Sequence, residues 1–288
     1  MKDNQSLYTA FQVTLTLLAQ SKKAPFTDLI PSDAVLLASQ YLSQTKEGKK
    51  HLSIFKSPIK RWCLNTLTEW WLPGYPSFLL MRKRYVEQKV EAFLEAYPNG
   101  QVVNIGAGLD TLLSRLARRG ISNRLIEIDY PLVMDLKKTY SLHHNLIFSG
   151  ADLSQTPIER VLEDSGFNPK EPVLFLLEGV LMYLPEALAF DLLQTLARLS
   201  ESSTELLFSA VREDERLFSK NVKRVMEKNN SPFQWGKELA PLASRLSGVG
   251  FSLQEQASHE EFYEQFSAQF PMPRVFVLYE YYNYAVKT

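Results

Sequence analysis

The chain contains one cysteine, Cys63, which rules out an intramolecular disulfide and any thiolate cage around a metal. A lone thiol fits a reducing compartment, so a cytoplasmic setting is expected. Net charge is also missing. The 32 Lys and Arg residues cancel the 32 Asp and Glu residues, leaving no field to gather phosphate backbones, and nucleic acid is not expected as a partner. No apolar run reaches the roughly 20 residues that span a bilayer, and residues 13–19, interrupted by threonines, read as a helix face rather than a leader core. Neither a leader nor a membrane partner is expected. Histidine is scarce, with four in all; His143-His144 sits where a surface turn is expected, and His51 and His259 lack a neighbouring partner in sequence. A Gly-x-Ser-x-Gly elbow, a Gly-x4-Gly-Lys-Ser/Thr loop and zinc-ligand spacing are all absent, which sets aside hydrolase, P-loop and metal chemistry.

What is present is the balance of an ordinary globular chain. At 45% hydrophobic and 22% charged, the sequence can bury a core and does not read as disordered. Its 288 residues suit one α/β domain with additions, and the bias is toward a small or peptide-like ligand. From Gln101 onward short β-rich runs alternate with helical stretches, at 101–105, 124–129, 145–149, 173–177, 205–210, 251–256 and 275–285. The pattern predicts a Rossmann-like, doubly wound, seven-stranded and mostly parallel sheet. Val173-Leu174-Phe175-Leu176-Leu177 is apolar without alternation, as a strand buried on both faces must be, and belongs near the sheet centre. The aromatic last run follows the sixth without a full crossover helix between them, so it is expected to be antiparallel. Leu112, Leu113, Leu116 and Ala117 mark one helix stripe, stopped by Gly120. Leu188, Leu192, Leu193, Leu196 and Leu199 mark another that opens at Pro185; all are expected in the core.

The first 95 or so residues show helical spacing, as in Leu7, Phe11, Leu15 and Leu18, and no strand. They are expected to form a helical cap, 1–95, on a catalytic domain, 96–288, with a helical insertion at about 212–247. Within the cap, Trp62, Trp70 and Trp71 fall close together before Pro73 and Pro76. Trp70, Trp71 and Tyr75 are candidates for lining an acceptor pocket, or for core packing.

The strongest local signal is Asn104-Ile105-Gly106-Ala107-Gly108-Leu109-Asp110-Thr111, a buried strand running into two glycines before a helix. Gly106 and Gly108 let the backbone turn sharply and approach a ligand closely. A third glycine of a dinucleotide fingerprint would fall at Thr111, which counts against a bound pyrophosphate. About 20 residues on, the second strand ends in Glu127-Ile128-Asp129, at the spacing of an acid that reaches ribose hydroxyls. Asp129, being last, is the choice over Glu127. After the third strand, Asp152 can bond an exocyclic amine of adenine while Leu153 packs on the ring, or Asp152 can cap a helix. Glu178 follows five apolar residues, where burial of an unpaired carboxylate is costly, so it is expected either in the site or in a salt bridge.

Taken together, the glycine loop, Glu127-Ile128-Asp129-Tyr130-Pro131, Asp152-Leu153 and Glu178-Gly179-Val180-Leu181-Met182-Tyr183-Leu184 resemble the leucine carboxyl methyltransferase family, best from Leu79 to Pro185. The resemblance implies a class I methyltransferase fold with S-adenosyl-L-methionine as cofactor and S-adenosyl-L-homocysteine as product. It implies that Arg82, in Leu80-Met81-Arg82-Lys83-Arg84-Tyr85, grips the methionyl carboxylate, with Arg84 as the alternative. Gly106, Gly108, Asp129, Asp152, Leu153 and Glu178 complete the cofactor set, and Tyr183 is a candidate for positioning the acceptor or for packing. Two departures stand out: Lys83, where a small threonine is frequent, and Gly179 after Glu178. The activity implied is O-methylation of a carboxylate or phenolic hydroxyl on a small molecule or peptide. A carboxylate with a pKa of roughly 4 needs no general base, whereas a phenol near 10 does, so the scarcity of histidine favours the carboxylate. A nicotinamide-dependent oxidoreductase and a non-catalytic cofactor-binding or assembly protein are the alternatives.

Overall fold

The computed structural model describes residues 2–24, 26–71, 73–211, 242–268 and 280–288. Of the insertion expected at about 212–247, residues 212–241 lie outside the described residues, as do 275–279 of the expected last strand. Five helices come first: α1 (Lys2–Gln20), α2 (Ser32–Ser43), α3 (Lys46–Lys56), α4 (Pro58–Trp71) and α5 (Tyr75–Ala96). Then follow β1 (Gln101–Ile105), α6 (Leu112–Arg118), β2 (Arg124–Asp129), α7 (Pro131–Lys138), β3 (Leu146–Gly150), α8 (Ile158–Asp164) and β4 (Val173–Leu177). A 3-10 turn at Leu181–Tyr183 leads to α9 (Glu186–Leu199), β5 (Thr204–Val211), α10 (Leu242–Gly248), β6 (Phe251–Ala257), α11 (His259–Phe266) and β7 (Glu280–Lys287).

The strands form one seven-stranded sheet in the order β3-β2-β1-β4-β5-β7-β6. Neighbours from β3 through β5 pair in parallel, while β7 runs antiparallel to both β5 and β6, as expected of the last strand. The uninterrupted apolar strand, β4, is the middle one and is buried at every residue. Chain order turns back between β1 and β4, which opens a crevice at their carboxyl ends.

Period-two alternation sends successive side chains to opposite faces of the sheet. Val103, Ile105, Phe175, Leu177 and Phe208 join α8, α9 and α10 on one side. Val102, Leu125, Leu174, Leu176 and Leu207 share the other core with α1, α2, α5, α6, α7 and α11, so the N-terminal helices pack into the body of the sheet. Tyr41 of α2 ties them down further, because its hydroxyl, buried among helices, donates to Ser114 Oγ at 3.1 Å and lies 2.6 Å from Ser141 Oγ. Local chemistry sets several starts: Pro131 opens α7, and a reciprocal Ser258–Glu261 capping box opens α11. Leu188, expected in the core, is instead 55% exposed. The buried arc of α9 is centred on Ala189, Leu193 and Leu196, and Leu188 lies a full 100° step off Ala189.

Candidate active site

The crevice is built from strand ends. Beyond β1 the chain enters Gly106 and Gly108 with φ of 71° and 53°, a region that disfavours residues with a β-carbon. A β-carbon on Gly106 would lie 2.3 Å from Val180 Cγ2, in the segment after β4. One on Gly108 would lie 3.8 Å from Ala10, which places α1 over this loop. The loop is held by Asp129 at the end of β2: Gly108 N–H donates to its Oδ2 at 2.7 Å, and Tyr130 N–H to its Oδ1 at 2.7 Å. Burial raises the Asp129 carboxyl above its ordinary range, and these two N–H groups oppose the rise.

Next to the loop lies a group of buried charges. Arg82 of α5 faces Glu178 Oε1 through Nε at 3.1 Å and donates through a terminal nitrogen to Glu280 Oε2 of β7 at 2.8 Å. Lys83 donates to Asp110 in the glycine loop and to Glu178 Oε2 at 2.9 Å. Asp110 Oδ1 in turn accepts the Leu112 N–H at the start of α6. Burial works against the charged form of Asp110, but Lys83 and Lys137 outweigh it and hold the carboxyl well below the usual range. Burial likewise opposes charge on Arg82, and Glu280, Tyr282 and Glu178 reverse its effect. With all five groups ionised, two cations face three carboxylates, and Glu280 Oε1 is buried without a hydrogen-bond donor among the described residues. Tyr75 and Tyr183 adjoin the same charges; burial raises both hydroxyls while Arg82 pulls them back.

Thus Arg82, Gly106, Gly108, Asp129, Glu178 and Tyr183 gather around one crevice. Asp152 and Leu153 lie beyond β3. Asp152 Oδ1 accepts Ser154 N–H at 2.9 Å and Ser154 Oγ–H at 2.7 Å, and its Oδ2 accepts from Gln155 at 3.1 Å, so this carboxylate shapes the turn before α8. Leu153 packs half-buried against the core. Glu127 is separate: it shares the Asp129 face of β2 but lies two residues short of the strand end, under α7, where it is fully buried in an ion pair with Lys137. Arg84 is exposed and lies 3.8 Å from Glu87, away from the role considered for it.

The sequence pattern of this chain matches the leucine carboxyl methyltransferase model over residues 16–197, well over half of its length. The chain belongs to that family. Leucine carboxyl methyltransferase 1 of Rattus norvegicus is 26% identical over 160 residues, 46% of this chain and 48% of that one. A Parafrankia sp. (strain EAN1pec) protein named for S-adenosyl-L-methionine-dependent methyl transfer is 31% identical over 142 residues, 45% of this chain and 43% of the relative. A similarly named Mycobacteroides abscessus protein is 26% identical over 209 residues, 65% of this chain and 66% of its own. The chain therefore spans between 43% and 66% of the length of these curated relatives. Two solved structures share the fold: a DUF574 family protein from Streptomyces avermitilis (TM-score 0.58, 15% identity, 87% of this chain and 97% of that one) and a Thermobifida fusca protein named as a methyltransferase (TM-score 0.59, 14% identity, 87% and 93%).

Membership of a methyltransferase family leaves the oxidoreductase alternative without support. Sequence reasoning missed Glu280, Asp110 and the use of Lys83. The signal for Glu280 was the one used for Glu178, an acid in a strand of aromatic and apolar residues that burial makes costly unless it is paired. For Lys83 the signal was its departure from the family pattern.

Proposed function

We propose that this chain transfers a methyl group from S-adenosyl-L-methionine to an oxygen of a small-molecule or peptide acceptor, a carboxylate before a phenol. One observation carries the reading: the buried charge group beside the glycine loop has one carboxylate more than it has cations. A ligand with a carboxylate, an ammonium and a sulfonium brings a net charge of about plus one, which neutralises that excess. The loop fits such a ligand at Gly108, where a β-carbon would meet only Ala10 at 3.8 Å, whereas the missing β-carbon of Gly106 admits the close approach of Val180.

With the cofactor bound, the chemistry available is in-line transfer of its sulfonium methyl to an acceptor oxygen, giving S-adenosyl-L-homocysteine. Arg82 binds the methionyl carboxylate by charge-assisted hydrogen bonds, and Glu178 takes the ammonium. Asp129 keeps a free lone pair on each oxygen beyond the N–H groups of Gly108 and Tyr130, and with these it accepts from ribose hydroxyls. Asp152 and Leu153 bound the adenine end. Tyr183, beside Tyr75 and Arg82, orients the acceptor, and the N-terminal helices close over the crevice as its lid. Catalysis rests on positioning. No base is required for a carboxylate, and His51 is engaged elsewhere, with Gln12 and the Glu47 carbonyl.

Isothermal titration with S-adenosyl-L-methionine is expected to give saturable binding, and labelled cofactor is expected to mark carboxylate-bearing acceptors. Folded protein that takes up no cofactor at millimolar concentration ends the proposal. A transfer rate that keeps rising toward the pKa of a phenol, about 10, assigns the acceptor to the phenols instead.

A further inference from the structure

Helix α4 turns its largest apolar side chains outward. The helix is held by polar contacts, with Leu64 half-buried among them: Asn65 Oδ1 accepts from Gln20 of α1 at 3.1 Å, Arg61 donates to the Phe55 carbonyl at 2.6 Å, and Glu69 accepts the Gly74 N–H at 2.9 Å. No described residue of α4 is fully buried. The arc facing out holds large apolar side chains, with only Thr66 and Cys63 between them. Ile59, Trp62 and Trp70 recur at three- and eight-residue spacing with Leu67 at the edge, and they are 75%, 68%, 75% and 57% exposed. Exposed tryptophans and aliphatic residues on one arc form a contiguous patch, unlike scattered surface leucines.

Charge is segregated to the same stretch. The chain as a whole is neutral, yet residues 46–71 carry Lys46, Lys49, Lys50, Lys56, Lys60 and Arg61 against only Glu47 and Glu69. All five of these lysines are exposed; Lys60 borders the apolar arc and Lys56 lies at the turn between α3 and α4. Apolar rings rimmed by cations on long stems complement a layer that is anionic at its surface and apolar beneath. Indole rings favour the headgroup level of a bilayer, where one edge stays wet. None of the described helices is long and apolar enough to cross a membrane, so contact would be at the surface.

We infer that α4, flanked by the lysines of α3, docks the chain on an anionic lipid surface with Ile59, Trp62, Leu67 and Trp70 inserted at the headgroup level. This departs from the expectation of no membrane partner, which came from the absence of a spanning segment and of net charge; neither bears on a local amphipathic face.

The test uses the full chain and vesicles of phosphatidylcholine with about 30 mol% phosphatidylserine, compared with phosphatidylcholine alone. Expected are sedimentation with the anionic vesicles, a blue shift of tryptophan emission, and release by salt. Ile59→Ser/Trp62→Ser is expected to abolish sedimentation, and Lys56→Glu/Lys60→Glu to weaken it roughly tenfold or more. Leu36→Ser, an exposed apolar position on α2, is expected to leave it unchanged. All of these sites are on the surface, and an unaltered thermal melt confirms folding. Absence of sedimentation, binding indifferent to Trp62, or a solution dimer that Trp62→Ser dissolves overturns the inference, the last by giving the face to a second copy.

Discussion

Two sets of buried charges lie beneath the same layer of helices, and they balance differently. Glu127 and Lys137 are paired one to one and fully buried, although the field of Lys137 also reaches Asp110. At the crevice, Arg82 and Lys83 are shared among Asp110, Glu178 and Glu280, with a carboxylate to spare. The first set spends its one cation on its one carboxylate, sealed from solvent, and fixes α7 on β2. The second has a carboxylate beyond its cations, the imbalance on which the proposed cofactor site rests. Burial of charge alone thus says little about function; whether the charges cancel says more.

The largest effect is expected at Lys137. Lys137→Met leaves Glu127 without a counter-charge in the core, and at pH 8 it is expected to lower unfolding free energy by about 3–5 kcal/mol, measured by urea denaturation. Adding Glu127→Gln to that variant restores much of the loss if the pair acts as a unit. Burial pushes the Glu127 carboxyl up from 4.5 to about 7 although Lys137 opposes it. A raised folded-state pKa means that the folded chain binds a proton the unfolded chain has released, so the stabilisation is complete below 4.5 and is lost as pH rises through about 7. Glu127→Gln is expected to flatten that part of the stability profile; an unchanged slope between those pH values assigns the titration to another group.

The difference between the two sets was only partly legible in the sequence. Strand β4 announced its central place because five apolar residues admit no solvated face, and Gly106 and Gly108 announced the crevice because only a strand end followed by a tight turn needs them together. The acid pair Glu127 and Asp129 shared one face by alternation, yet their fates depended on α7, whose Lys137 captures the first and leaves the second at the strand end. A partner ten residues away along the chain, brought close by a helix turning back on its strand, leaves no periodic trace. The same holds for Arg82 and Glu280, 198 residues apart, which meet only because β7 inserts between β5 and β6.

At Asp129 the expected effect is on binding rather than folding. Asp129→Ala removes acceptors for the ribose hydroxyls and for the Gly108 and Tyr130 N–H groups, and cofactor affinity measured calorimetrically is expected to fall by about 1–3 kcal/mol. If affinity holds while only stability drops, Asp129 shapes the loop and does not touch the sugar.

The smallest effect is expected where the crevice has charge to spare. Glu280→Gln keeps an oxygen that can accept from Arg82 and removes the surplus carboxylate, so no cation is left unpaired: Arg82 still faces Glu178, and Lys83 still bridges Asp110 and Glu178. Unfolding free energy is therefore expected to change by no more than about 1 kcal/mol, the scale of weakening one charge-assisted hydrogen bond to a neutral one. Cofactor affinity is expected to drop modestly, because a ligand with a net positive charge loses part of the field that draws it in. A loss of stability as large as that of Lys137→Met would make Glu280 a closed partner of Arg82, and the crevice would then be balanced without its ligand, contrary to the contrast between the two sets.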